Sequence, residues 1–259
     1  MLISKTTPKK SLGQNFLVNK ETLYDFITSI DIKANDVIIE VGSGTGIITK
    51  ELVKKAKKII AVEFDRELIP TLKNNLKDFD NIELINSDIL ELIRNLKLVI
   101  KNSRYKVTGS IPYNITKPLL YALVTSNKLP ITINLIIQYE VAKKISAKPP
   151  KATYLSNLIQ LYGEVKIIKK VPPSAFYPIP KVNSAIVKIV KGKRQQAKGV
   201  SAKEFAEFLH RGFRNPRKML NKSFKKEFLI KAGINPTLRP ANLTLNRWLK
   251  LMLLTYSHG

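Results

Sequence analysis

The chain has no cysteine and only two histidines, His210 and His258, in 259 residues. Disulfide staples, cysteine-based zinc sites and thiol nucleophiles are therefore excluded. So few histidines also argue against a histidine-based zinc site or a Ser-His-Asp triad. No stretch reaches the roughly 18 apolar residues of a membrane-spanning helix, and no lipidation motif is present. Met1 to Lys10 lacks the apolar core of a signal peptide. The expectation is a cytoplasmic protein without membrane association. Acidic residues are scarce too: Asp and Glu total 19 against 45 Lys and Arg, a formal charge of +26. A surplus of that size points to a polyanionic partner, bound through phosphate contacts and counterion release. A lysine-biased genome explains part of it, not all. With 44% hydrophobic residues the chain reads as globular. Its length suits one large domain and one small one.

Strand-like and helix-like segments alternate through the first 140 residues. Leu23, Phe26, Ile27 and Ile30 have helical spacing. Val37 to Val41 is an apolar run ending in glycines, followed by a helix over 47–57. Further strands are expected at 59–63, 82–85, 106–111 and 131–137, with helices at 68–76, from Leu90 and around 118–124. The alternation predicts an α/β fold, a parallel sheet wrapped by helices on both faces. Leu158 to Val171 and Ala185 to Val190 read as two long antiparallel strands, the first interrupted at Gly163. A basic, polar linker at 191–199 precedes Phe205, Phe208 and Leu209, and then Leu245, Trp248, Leu249 and Met252, all at helical spacing. These predict a small C-terminal helical domain, dividing the chain into 1–192 and 193–259.

Residues able to do chemistry fall at the ends of successive strands. Gly42, Gly44 and Gly46 let the backbone pass close to a ligand at the carboxyl edge of the sheet. Glu63 ends the next strand, about 20 residues on, where a carboxylate meets ribose hydroxyls in nucleotide-binding α/β folds. The G-x-G-x-G spacing is not a pyrophosphate fingerprint, and Glu40 just before the glycines would repel a pyrophosphate. Glu40 could instead face the ammonium of a methionine moiety. Asp88, past the third strand, is placed to accept from an adenine amino group. After the fourth strand comes Ser110-Ile111-Pro112-Tyr113-Asn114. A polar side chain and backbone carbonyls there can accept from an exocyclic amino group, because Pro112 donates no hydrogen bond and stiffens the turn. Tyr113 offers a face for stacking. Any one of these is a common turn or helix cap. The set reads as S-adenosylmethionine plus an amino-bearing base.

On these motifs the chain resembles the small-subunit rRNA adenine N6,N6-dimethyltransferases, relatives of the erythromycin-resistance methylases. Ser11-Leu12-Gly13-Gln14-Asn15-Phe16-Leu17 is similar to the family's opening signature. Ile145 to Pro149, Phe176 to Ser184 and Phe213 to Leu220 are similar to its later ones. The resemblance implies a Rossmann-like methyltransferase sheet that binds S-adenosylmethionine. It also implies methylation of adenosine N6 in a loop of small-subunit rRNA, with a role in ribosome assembly. Asn15 and Leu17 would border the cofactor, Gly42 approach it, Glu63 hold its ribose and Asp88 its adenine. Ser110 and the turn after it would bind the target N6, with Tyr113 and Phe176 sandwiching the base. Ser110 stands where the family usually has Asn, and Asn183 where it usually has Asp.

From Lys191 to Lys231 there are 13 Lys and Arg against 3 Asp and Glu. Arg211, Arg214, Arg217 and Lys218 fall at helix-like spacings of three, three and one, so part of this charge is expected to share a face that docks on rRNA. The expected partner is small-subunit rRNA within a pre-30S particle, and the enzyme is expected to act as a monomer. Two other readings remain: a large-subunit rRNA methyltransferase of the macrolide-resistance type, and an rRNA-binding assembly factor whose catalysis Ser110 has blunted. A dinucleotide oxidoreductase is disfavoured by the glycine spacing.

Overall fold

The computed structural model describes residues 8–95, 100, 104–192 and 201–256. Most of the expected basic linker, 193–199, lies outside the described residues. The first 95 residues contain strand β1 (Phe16–Leu17), helix α1 (Lys20–Ile30), β2 (Val37–Val41), α2 (Ile47–Val53), β3 (Lys58–Glu63), α3 (Ile69–Asn75), β4 (Ile82–Asn86) and α4 (Ile89–Arg94). Then follow β5 (Tyr105–Ser110), α5 (Thr116–Thr125), β6 (Thr132–Gln138), α6 (Tyr139–Ile145), α7 (Tyr154–Tyr162), β7 (Gly163–Val171), β8 (Phe176–Tyr177) and β9 (Ser184–Lys191). The chain continues through α8 (Ala202–Phe213), α9 (Lys226–Lys231) and α10 (Leu245–Tyr256).

Seven strands form one sheet in the order β4-β3-β2-β5-β6-β9-β7. Strands β2 to β6 pair in parallel, and β9 runs antiparallel to β6. The apolar runs explain the parallel core. Every residue of β2 is buried, as is β3 from Ile59 to Glu63, the condition of strands covered on both faces. Helix α1 begins where the Asn19 side chain accepts from the Thr22 amide at 2.7 Å, a standard use of Asn at an N-cap. It buries Phe26, Ile27 and Ile30 against the sheet with Leu52, Ile59 and Ile136.

One close approach fixes the sheet at its functional edge. Gly109 in β5 has φ +157°, and a Cβ there would lie 2.3 Å from the Val41 carbonyl oxygen. Only glycine lets β5 run this near β2, and the contact brings Ser110 beside the glycine turn that follows β2.

Residues 158–162 are helical rather than part of a strand. Thr153 and Ser156 form a capping box, and Leu158, Ile159, Leu161 and Tyr162 are buried. A short apolar run suits a buried strand or a buried helix equally, and the Thr-x-x-Ser cap decides here. The strand proper begins at Gly163.

The chain divides into two compact units: Met1–Ala142 with Lys166–Val190, and Lys143–Val165 with Lys191–Gly259. Residues 143–165 thus group with the C-terminal part, where a division at 192 would have left them in the first domain. In this second unit Ser201 and Glu204 cap α8 reciprocally. Phe208 meets Trp248 edge-on at 6.2 Å between ring centroids, and Phe224 at 5.1 Å.

Candidate cofactor and target-base site

The turn after β2 is held by its neighbour strand. The Gly42 amide donates to the Val62 carbonyl at 2.8 Å, and the Gly46 amide to Ser43 at 2.9 Å. Gly42, Gly44 and Gly46 take φ values of +69°, +57° and +86°, the left-handed region open to glycine. Glu63, 6% exposed at the end of β3, spans the turn. Its Oε2 accepts from the Gly44 amide at 2.7 Å and its Oε1 from the Asp65 amide at 2.8 Å. Burial raises its pKa against these backbone bonds, which favour the charged form.

Two adjoining cavities open at this edge. The larger, about 260 Å3, is lined by Glu63, Phe64, Ser87, Asp88 and Ile89 from the ends of β3 and β4, and by Leu12, Gln14, Val41 and Ile115. The smaller, about 60 Å3, is lined by Ser110 to Tyr113, Phe176, Ser184, Asn15, Phe16 and Gly44. Both share Gln14, Gly42, Glu63 and Pro112. The larger cavity matches the donor pattern of a nucleoside. Two carboxylates, Glu63 and Asp88, can accept from hydroxyls and an amino group, between apolar walls. Asp88 also caps α4, its Oδ1 accepting from the Leu90 amide at 2.8 Å; the second oxygen can take a ligand donor. The smaller cavity is well under the roughly 300–1,000 Å3 of small-molecule pockets. Phe16 and Tyr113 in its lining are half-buried.

Two expected site residues and one expected helix face take other places. Leu17 borders neither cavity. It is 2% exposed and packs in the core with Phe26 and Phe176, because β1 pairs with β8 in the register Leu17–Phe176. Glu40 is the second. It is fully buried beneath the turn, its Oε2 accepting from the Thr49 hydroxyl at 2.6 Å, and it lines neither cavity. Burial pushes its carboxyl up to about 8. The third is the expected basic helix face. Helix α8 stops at Phe213, because Pro216 lacks an amide and disfavours helical backbone at Asn215. Only Arg211 lies on the helix. Its Nε donates to the Ser223 carbonyl at 3.1 Å, and its guanidinium covers the Phe224 ring. Arg214, Arg217 and Lys218 are exposed in the turn beyond.

The remaining expected residues converge. Asn15, Gly42, Gly44, Glu63, Ser110, Pro112, Tyr113 and Phe176 all line the smaller cavity, Asp88 the larger. Sequence reasoning gave no role to Gln14, Phe16, Phe64 or Ser184. Phe16 is placed over Gly44, 3.2 Å from where a Cβ would stand. The Ser184 hydroxyl, fully buried, shares a hydrogen bond of 2.8 Å with the Tyr113 hydroxyl. Burial raises the Tyr113 pKa, so the phenol stays neutral.

A mostly parallel sheet with a glycine turn after β2 and acids at the ends of the next two strands fits a Rossmann-like methyltransferase fold. The family model for ribosomal RNA adenine dimethylase matches residues 5–255, and the chain belongs to that family. It is 37% identical over 255 residues to the ribosomal RNA small subunit methyltransferase A of Dehalococcoides mccartyi, covering 95% of this chain and 87% of that one. It is 36% identical to the protein of the same name from Clostridium botulinum, covering 93% and 92%. The structure is similar to that of a dimethyladenosine transferase from Plasmodium falciparum (TM-score 0.77, 26% identity, covering 94% and 98%). It shares its fold with the 23S rRNA methyltransferase ErmE (TM-score 0.72, 22% identity, covering 93% and 99%). Among the described residues no helix is long and apolar enough to cross a membrane.

Loss of either acid should weaken cofactor binding. Glu63→Ala and Asp88→Ala are each expected to cost roughly 1–3 kcal/mol in S-adenosylmethionine affinity, the cost of leaving a buried polar group unpaired. Calorimetry measures it. Wild-type affinity in the Asp88 variant would leave that residue as a helix cap only.

Proposed function

We propose that this chain uses S-adenosylmethionine to dimethylate N6 of adenosines in a loop of small-subunit rRNA. It would act as a cytoplasmic monomer on a pre-30S particle and contribute to ribosome assembly. The observation that carries the reading is the shared wall of the two cavities. Gln14, Gly42, Glu63 and Pro112 line both, so the Ser110–Tyr113 turn adjoins a recess lined by the Glu63 and Asp88 carboxylates, and that supports the reading. The small-subunit assignment rests on the likeness to small-subunit methyltransferases at 36–37% identity.

Bound S-adenosylmethionine supplies a methyl group that is already a strong electrophile. The chain's residues have mainly to align the nucleophile. Adenine N6 is a poor nucleophile because its lone pair is delocalised into the ring. Acceptors on the N6 hydrogens, the Ser110 hydroxyl and the backbone carbonyls of the turn, help localise it. Phe176 and Tyr113 hold the ring plane, and alignment at near-attack distance supplies most of the rate. The amino group carries a positive charge once methylated and is then a strong acid, so it releases its proton to water and no strong base is needed beside it. The target must leave its stack, so a loop adenosine is the cheaper substrate. Arg211, Arg214, Arg217 and Lys218 are proposed to dock the rRNA through phosphates and shape.

The serine in the turn keeps a second reading in play, a binding factor with weak catalysis. Single-turnover methylation of 30S particles, with 50S precursor RNA as control, decides between them. Wild type is expected to methylate the 30S substrate, and Ser110→Ala to be slower by about tenfold, the worth of one hydrogen bond. Activity only in Ser110→Asn would identify a binding factor. Activity on the 50S precursor would identify the large-subunit reading.

A further inference from the structure

The segment from Lys9 to Phe16 builds a wall of both cavities. Leu12 and Gln14 face the larger one; Gly13, Gln14, Asn15 and Phe16 face the smaller. Apart from β1 the segment has no strand or long helix to hold it, only a single 3-10 turn over Lys10–Leu12. It is fastened instead to one carboxylate. Lys9 Nζ donates to Asp65 Oδ1 at 2.8 Å, and Gln14 Nε2 to Asp65 Oδ2 at 2.8 Å. The two donors are tied together, since the Lys9 amide donates to Gln14 Oε1 at 2.8 Å. Lys9 also meets Glu67, an exposed carboxylate, at 2.9 Å.

Asp65 is 5% exposed although its partner Lys9 is about one-third exposed. Capping the turn at 66–68 accounts for one of its bonds, that from the Glu67 amide to Oδ1 at 3.1 Å. Capping does not account for a second oxygen turned to Gln14. On the inner side, the Asp65 amide donates to Glu63, whose other oxygen holds Gly44. A continuous chain of hydrogen bonds thus runs from the glycine turn through Glu63 and Asp65 to the N-terminal segment.

We infer that Asp65 is a positioning residue for the reaction: by gripping Lys9 and Gln14 it latches residues 9–16 as the shared wall that sets the cofactor against the target base. The inference rests on the proposed function for its kinetic consequence, but not for the latch itself. Charge-assisted bonds to a nearly buried carboxylate are among the stronger ones available to a surface segment. With the latch broken, the segment opens more often, because so little else orders it.

Trypsin tests the latch on the full-length, ligand-free protein. The segment contains Lys9 and Lys10, and cleavage there reads how often it opens. Asp65→Asn places an amide donor opposite the Gln14 donor. It is expected to raise cleavage at Lys9–Lys10 by about tenfold, as loss of one charge-assisted bond implies. Asp65→Asn combined with Gln14→Glu restores a donor–acceptor pair and should return cleavage toward wild type, which a general loss of stability would not do. In methyl transfer, Asp65→Asn should raise KM for S-adenosylmethionine more than it lowers kcat. If Asp65→Asn does not fold, Lys9→Gln serves, since Lys9 is one-third exposed and Lys10 remains cleavable. A wild-type cleavage rate in folded Asp65→Asn, or in Lys9→Gln where Asp65→Asn does not fold, would overturn the inference. Absence of methyl transfer in the wild type would instead strike the proposed function and leave the cleavage result standing.

Discussion

Phe176→Ala is expected to lose both stability and methyl transfer, whereas Tyr113→Phe keeps most of each. Phe176 is 4% exposed and sits in the core with Leu17, Phe26, Val171 and Ala175, while one side of it faces the smaller cavity. Removing a buried phenylalanine typically costs about 3–5 kcal/mol. At roughly 2–4 °C per kcal/mol for a chain of this size, that is a fall in Tm of about 6–20 °C. A ring that only stacked on substrate would show no such fall. Tyr113 is half-buried, and its hydroxyl shares a hydrogen bond with that of Ser184. Tyr113→Phe keeps the stacking face and loses that bond, so the change in Tm should be a few degrees. Tyr113→Ala removes the face as well. Its methyl transfer is expected to drop by the roughly 1–3 kcal/mol that a base–aromatic stack is worth. Calorimetric melting and single-turnover methylation separate the two residues. A Phe176→Ala protein that melts with wild type would place that ring outside the core.

Strands β2 and β3 were legible because Val37 to Val41 and Ile59 to Glu63 are mostly apolar runs that lead into a glycine turn or end in an acid. Tyr105 to Ser110, with Lys106 and Thr108 inside it, was legible mainly from the glycine and proline around its end. The helix at 154–162 was not, since Leu158, Ile159, Leu161 and Tyr162 suit either period and only the Thr153–Ser156 cap distinguishes them. Pairings between distant segments left no local trace at all. Phe16 and Leu17 meet Tyr177 and Phe176 across most of the first unit, and this sends Leu17 into the core and Phe16 over Gly44. The grip of Asp65 on Lys9 and Gln14 is equally non-local. The run Arg211 to Lys218 had the right spacing for a helix face, but Pro216 within it carried the opposite message. Spacing alone placed Glu40 beside the ligand, yet a side chain at the end of a central strand can point below the turn as readily as above it.

That burial of Glu40 has a consequence measurable in the pH dependence of stability. Its carboxyl is fully buried with the Thr49 and Ser43 hydroxyls beside it, and burial outweighs them to raise its pKa from 4.5 to about 8. A buried carboxyl resists ionisation because the charged form loses its hydration. In the unfolded chain the group ionises near 4.5, whereas in the folded protein it holds its proton to about pH 8. Between those values the folded state binds more protons than the unfolded state, so stability falls as pH rises. The fall begins above about pH 4.5 and levels off above about pH 8. At about 1.4 kcal/mol per pH unit it amounts to at most about 5 kcal/mol, and water entering as the group ionises lowers that ceiling. Glu40→Gln keeps an oxygen to accept from Thr49 and cannot ionise. The variant is therefore expected to gain on wild type steadily from pH 5 to pH 8, with the smallest difference at the acid end. Denaturant unfolding of the two proteins at pH 5, 6.5 and 8 measures that difference. A gap that stays constant with pH would mean that Glu40 ionises alike in both states, and the turn above it would then rest on a charged carboxylate.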